Sequence, residues 1–418
     1  MKVAHFDQII TPEVGVDAAG YGPNMFTVRI HDDLKLSILL LDDGDNKGAV
    51  LGYDLLGLDY PYIQKIRKDV SAQLGCPEAN VILSCSHTHS GPHTRTQGGQ
   101  VVADLDYIEK LYRWTAEGVA QALAGGWQEA DTYFYSCKCD VNYNRRHLDG
   151  ANHCIYLPSH RTMEAIANGF ADQELGMLIF TKPGDTYQPI GILLNYAAHP
   201  LASHAVGLGS HQISADFPGE VRNMIEADSC WCVFTDGAAG DQFPKYSECG
   251  WESVRKVASG IVLEALRGMC DACRNKPLYL IKEPKIHASI ETVTLKLRRD
   301  QQEKRLARPL YAGKKETEAE IQLFALNDAV CLVGVPGEMF AEIGQEIKWH
   351  SPYRKAFILY NSTAYLSYLP NAGAYQAGGY EVGVNSALIQ PFESLKIVNA
   401  AVDGMHKMYG PLPEELEN

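Results

Sequence analysis

The chain has 418 residues, 46% of them hydrophobic and 21% charged, which is ordinary for a globular protein and long enough for a large core. Its formal net charge of -14 offers no basic stripe, which excludes a nucleic-acid partner and disfavours stable association with anionic membranes. No apolar run is long enough to span a bilayer, and the N-terminus from Met1 to Asp7 lacks the features of a signal peptide, so the expected location is cytoplasmic.

Residues 1–60 suggest strands and turns. The apolar runs 36–41 and 49–53 flank a polar hairpin-type break, and Asp54 ends the second run, either facing a site or capping the next helix. Helical spacing through Ile63, Ile66, Val70 and Leu74 predicts a helix over 60–74, followed by a short apolar strand from Val81. Strand, helix, strand over 49–86 predicts a parallel pair. A second helix is expected over 106–124, stopped by Gly125-Gly126. Residues 140–171 have little periodicity and suggest a long loop covering a site.

Strands are predicted at 177–180, 190–196 and 230–234, with helices at 214–227 and 253–267. Residues 285–297 alternate and then slip phase, predicting a long strand with a bulge near Glu291. The charged stretch 301–320 suggests an exposed helical excursion. Strands at 321–326, 329–335 and 355–360 and helices at 339–349 and 390–408 complete the chain, and no internal repeat stands out. The expected class is α/β, of the mixed α+β kind, with mixed sheets and flanking helices in a single domain over 1–418; two sub-lobes meeting near residue 275 are the alternative.

The 11 cysteines are expected reduced. Cys137-Lys-Cys139, Cys230-Trp-Cys232 and Cys270-Asp-Ala-Cys273 share no structural-zinc spacing. The stretch Val81-Ile-Leu-Ser-Cys-Ser-His87-Thr-His89-Ser-Gly-Pro-His93 is more telling. A buried strand there would deliver two histidines, on one side while the backbone stays extended, to its C-terminal mouth. Surface histidines on a loop are the plainer alternative.

This stretch resembles the Thr-His-Thr-His-Ser-Gly-Pro signature of the neutral ceramidases. Asn195-Tyr-Ala-Ala-His199-Pro200, His211-Gln-Ile-Ser-Ala-Asp216, Gly240-Asp241-Gln-Phe-Pro244, Pro336-Gly-Glu338 and the segment from Tyr375 to Tyr380-Glu381 are similar to further segments of that family, in the same order; Tyr143-Asn144-Arg145 is a weaker match. The resemblance implies the fold of the family's catalytic domain and a metal held by His87, His199, Glu338 and Tyr380, with His89 close by. Characterised secreted members carry a C-terminal immunoglobulin-like domain, which is not expected within these 418 residues.

His87, His199 and Glu338 each follow an apolar strand or the turn after one. Two imidazoles and a carboxylate suit zinc, or another divalent ion, with an open position. Taken singly, His199 also reads as a turn residue before Pro200, Glu338 as a first-turn helix acid and Tyr380 as a loop aromatic. His89, Asp216 and Asp241 are candidates for acid–base work or for orienting the imidazoles, Asp216 equally for a helix cap. Arg145 is a candidate to hold a substrate carboxylate or an oxyanion, or else a surface ion pair. His211, Phe243 and Tyr375 are the remaining candidates for substrate contact.

Phe243 is the main departure, because the family places there a serine, its proposed nucleophile. The expected reaction is therefore hydrolysis of an amide, ester or lactone in a small polar, sugar-derived metabolite by metal-bound hydroxide. A metal-dependent isomerase or lyase acting on a keto sugar, and a ligand-binding protein without activity, are the alternatives.

Overall fold

The computed structural model describes residues 1–20, 23–96, 101–185, 188–203, 211–299 and 309–410. One topological unit recurs three times along them: three antiparallel strands, a crossover helix, a fourth strand parallel to the third, and a long helix that packs back on the first strand. The first unit runs through strands Lys2–Ile9, Lys35–Asp42 and Lys47–Tyr53, helix Tyr60–Leu74, strand Val81–Cys85 and helix Leu105–Gly125. The second uses Asp131–Lys138, Glu174–Thr181, Pro189–Tyr196, helix Asp216–Glu226, strand Trp231–Asp236 and helix Trp251–Arg274. The third uses Ile286–Lys296, Glu316–Leu326, Val330–Gly334, helix Ala341–Trp349, strand Lys355–Leu359 and helix Glu393–Tyr409. This is a mixed α/β fold with mixed sheets and flanking helices, the class expected from the sequence.

The local reasons are conventional. Tyr60–Leu74 buries Ile63, Ile66, Val70 and Leu74 on one face, carries Pro61 in its first turn and ends at Gly75 in the left-handed region at φ 67°. A single apolar layer then joins the units. Leu39, Val50 and Ile82 of the first sheet meet Leu178, Leu193 and Val233 of the second and Phe324, Leu332 and Phe357 of the third. Gly176 is required there, since a Cβ would lie 2.5 Å from the Phe357 ring.

The parallel pairs 47–53/81–85, 189–196/231–236 and 330–334/355–359 are in register, and the units bond to one another at and just beyond the C-terminal ends of these strands. Tyr360 N donates to Asp236 O, Ser362 Oγ to Leu83 O and Asn195 Nδ2 to Ile358 O. A crevice beyond the carboxyl ends of such strands is the usual ligand site of α/β sheets.

Several local expectations are corrected. Residues 286–296 pair with 316–326 without a register break, so there is no bulge at Glu291. The phase slip is instead a change of covered face: Ile286 and Ala288 pack into the central layer, whereas Val293 and Leu295 belong to the cluster beneath the C-terminal helix. Residues 316–320 are strand rather than helix, Glu318 pointing out and Ala319 and Ile321 in; residues 301–308 lie outside the described residues. The 140–171 region is not irregular throughout: Asn142–Asn144 pairs with Gln242–Pro244, and Arg146–Leu148 with Cys154–Tyr156 and Ala167–Asn168. The helix beginning near 251 runs on to Arg274. All eleven cysteines are free thiols, and among the described residues no helix is long and apolar enough to cross a membrane.

Candidate metal centre

His87 follows the fourth strand of the first unit, His199 the third strand of the second, and Glu338 the third strand of the third. All three are at most 2% exposed. His87 and His89 are not brought together by an extended strand: the strand ends at Cys85, His87 takes φ 68°, and the two rings stand edge to face with centroids 4.9 Å apart. A non-glycine residue held in the left-handed region is the kind of local strain that gathers at functional sites.

Each imidazole is oriented through one nitrogen. His87 Nδ1 lies 2.6 Å from Leu56 O and His199 Nδ1 2.6 Å from Ala239 O. A carbonyl only accepts, so each Nδ1 carries a proton, with the Asn361 amide a second neighbour of His87 Nδ1 at 3.0 Å, and in a neutral ring Nε2 then keeps a lone pair. The two Nε2 atoms lie 3.6 and 3.5 Å from Glu338 Oε2, and none of the three atoms makes a conventional hydrogen bond. Donors about 2.0–2.1 Å from a tetrahedral centre are separated by roughly 3.3 Å, and both contacts to Glu338 Oε2 are close to that. Among the described residues, the one group of His, Cys, Asp or Glu whose ligand atoms all lie within 4.8 Å of one another is His87, His89 and His199, a set that has His89 in place of Glu338.

The electrostatics agree with ligation. Burial, with the Arg145 charge adding to it, lowers His199 to about 4, so it is neutral at ordinary pH. Burial alone would raise Glu338, but the His87 and His199 imidazoles more than offset it and hold the carboxyl well below its usual range. A neutral His199 and an ionised Glu338 are forms that bind metal.

Arg145 is buried behind this cluster. Its Nε donates to Glu381 at 2.9 Å and Nη2 to Gly240 O at 2.6 Å, while Nη1 makes no hydrogen bond within the protein. The guanidinium lies over the rings of Phe243, Tyr380 and Tyr368, at 4.7, 5.1 and 5.6 Å. Phe243 therefore stands between Arg145 and His199, whose ring centroid is 5.9 Å from its own. Glu381 also takes Arg146 and the Tyr156 hydroxyl.

The two aspartates proposed for acid–base work are fully engaged. Asp216 accepts from the backbone of Ala202, Ser203 and Phe217 and from the Ser203 hydroxyl; it anchors the loop after His199 from the first turn of its helix, with Ala215 at the N-cap position. Asp241 accepts from Asn144, Gln242 and the backbone of Ala341. Asp54 neither faces the site nor caps a helix: it is a buried partner of Arg222 and of the Lys35 backbone. His211 is exposed against Phe26 O, and Tyr375 donates to Ile389 O.

Tyr380 is 47% exposed and touches Arg145, Tyr156 and Tyr368. Burial raises its phenol to about 12 and raises that of Tyr368, whose backbone pairs with Glu338, as well. Tyr368 and Tyr365, whose hydroxyl donates to Glu338 Oε1, are thus site residues that the sequence reading passed over. The only signal for them was the aromatic spacing after Asn361. Gly240 is a fixed point of the site, because a Cβ there would lie 2.5 Å from Glu338 O.

No protein-family model matches the sequence, and no curated protein matches it significantly. Solved structures do match the fold. The crystal structure of neutral ceramidase from Pseudomonas aeruginosa superimposes with a TM-score of 0.78 at 17% identity, covering 98% of this chain and 75% of that one. A ceramidase complexed with C2 gives 0.77 at 16% identity, covering 99% of this chain and 77% of that one. The chain therefore has the fold of the neutral ceramidases.

Proposed function

We propose that the protein is a divalent-metal-dependent hydrolase, with zinc the expected ion, acting on an amide, ester or lactone bond of a small polar, sugar-derived substrate. The observation that carries this reading is the meeting of His87 Nε2, His199 Nε2 and Glu338 Oε2 from three separate units. The likeness of fold to ceramidases agrees with it. A bound ion would supply a Lewis acid and make water a competent nucleophile near neutral pH.

The side chains then have distinct tasks. His87, His199 and Glu338 would hold the ion, and Tyr368, whose backbone pairs with Glu338, is a candidate beside Tyr380 to add an oxygen. His89, against both ligand imidazoles, is the group left for proton transfer. Arg145 presents Nη1 to a substrate oxygen while its other nitrogens are fixed. Phe243 has no nucleophilic atom, so water attacks directly and the phenyl ring limits the bulk of the substrate beside His199.

The test is metal analysis of protein purified without chelator, followed by assays on esters, amides, lactones and keto sugars. About one ion per chain, lost in His87→Ala and His199→Ala, with acyl hydrolysis abolished by chelation, is the expected outcome. Full metal content in both variants overturns the ligand set, and turnover of keto sugars alone moves the assignment to an isomerase.

A further inference from the structure

We infer that Tyr365 is a positioning residue for Glu338: its phenol occupies one carboxylate oxygen, leaving the other alone for the metal, and Arg95 stacked on the ring strengthens that hold. The inference rests on the metal-dependent reading above.

The backbone brings the two residues together first. Leu366 N donates to Pro336 O at 2.7 Å and Glu338 N to Ser367 O at 2.8 Å, and Glu338–Met339 pairs in parallel with Tyr368–Leu369. Tyr365 is 2% exposed and its ring is confined on several sides. It lies nearly parallel to the His87 imidazole, at 20° with centroids 6.3 Å apart. It rests on the backbone of Gly57, where a Cβ would come within 2.5 Å of Cδ2. The guanidinium of Arg95, itself 3% exposed, sits 4.1 Å from the ring centroid. A ring so held can aim its hydroxyl in few directions, and it donates to Glu338 Oε1.

Oε2 is the atom that faces His87 and His199. A carboxylate with both oxygens open can bind a cation edge-on through both. With a phenol donating to one, it binds through the other, which preserves a low coordination number and an open position. A cation over the ring draws electron density from it and makes the phenol a stronger donor.

Tyr365→Phe removes only the hydroxyl and keeps the ring. Zinc affinity, measured by competition with a chromophoric chelator, should fall about 10- to 100-fold, the usual effect of losing an outer-shell partner. The visible spectrum of the cobalt-substituted variant should lose intensity as Glu338 turns bidentate and coordination number rises. Arg95→Gln should shift both readouts in the same direction by less, and it carries the test if Tyr365→Phe fails to fold, as judged by melting of the chelated proteins. A merely structural Tyr365 would change melting and leave the cobalt spectrum alone. If wild-type protein binds zinc and Tyr365→Phe matches it in affinity and spectrum, the inference is overturned. If wild-type protein binds no zinc, the metal-dependent reading falls and this inference with it.

Discussion

Asp241 is the residue whose role the structure recasts most sharply, and Asp241→Asn tests the new role. The helix Ala341–Trp349 begins at Phe340, which offers no side-chain cap; Asp241, from another unit, supplies the acceptor for Ala341 N at 2.9 Å. Burial raises its carboxyl from 3.8 to about 6, against the bonds from Ala341, Gln242 and Asn144 that favour the charge. With the folded value above the unfolded one, the favourable contribution is full below 3.8 and is lost as pH rises through about 6. At about 1.36 kcal/mol per tenfold, complete ionisation costs about 3 kcal/mol, of which about 2 kcal/mol develops between about pH 4.5 and pH 8. Asparagine cannot ionise, but it turns an amide donor towards Asn144 Nδ2 and so costs about 1–3 kcal/mol at every pH. The variant should therefore gain about 2 kcal/mol on wild type across that range, moving from equal or lower stability in acid to equal or higher stability in base. Urea unfolding of both chelated proteins at about pH 4.5, 6 and 8 measures the gap. A gap constant to within about 0.5 kcal/mol would refute the reasoning.

Three further outcomes are expected. Mixing the enzyme with a chromogenic ester and quenching early should give no covalent adduct by intact mass, because Phe243 offers no nucleophile; an adduct on any Ser, Thr or Cys removes the direct-water reading. Asp54→Ala leaves Arg222 charged and buried, and should lower stability by about 3–5 kcal/mol in urea unfolding, where a loss below about 1 kcal/mol would show that the pair contributes little. Gly240→Ala should yield folded protein with reduced zinc content by elemental analysis, since the new methyl group must displace the Glu338 backbone; undiminished zinc would mean that the loop relaxes freely.

Much of the local structure was legible because it follows from periodicity. The Tyr60–Leu74 helix, the strands at 47–53, 81–85 and 189–196, and the parallel pair around His87 are set by apolar spacing and by Gly and Pro positions, which act within a few residues. His87, His199 and Glu338 each fall just after such a strand, but the resemblance to the neutral ceramidases, not the spacing, singled them out as candidates. The errors arose where one pattern fits two environments. The 286–296 strand buries one face and then the other, which in sequence is indistinguishable from a bulge, and the glutamates of 316–320 alternate on a strand although their charge suggested a helix.

The threefold recurrence of the unit was not legible, because it consists of element order and pairing while the residues filling each layer differ. For the same reason the sequence could not say which acids do chemistry. Asp54, Asp216 and Asp241 all follow or begin elements near the site, yet the folded chain gives them to Arg222, to the Ser203 loop and to the Ala341 helix end. Chain order alone determined the strands, the helices and the residues delivered to their ends. The packing of three units against one apolar layer decided which ends meet, that His87 and His199 face Glu338, and that Tyr365 and Tyr368 stand beside Glu338, because contacts between residues far apart in sequence leave no local pattern to read.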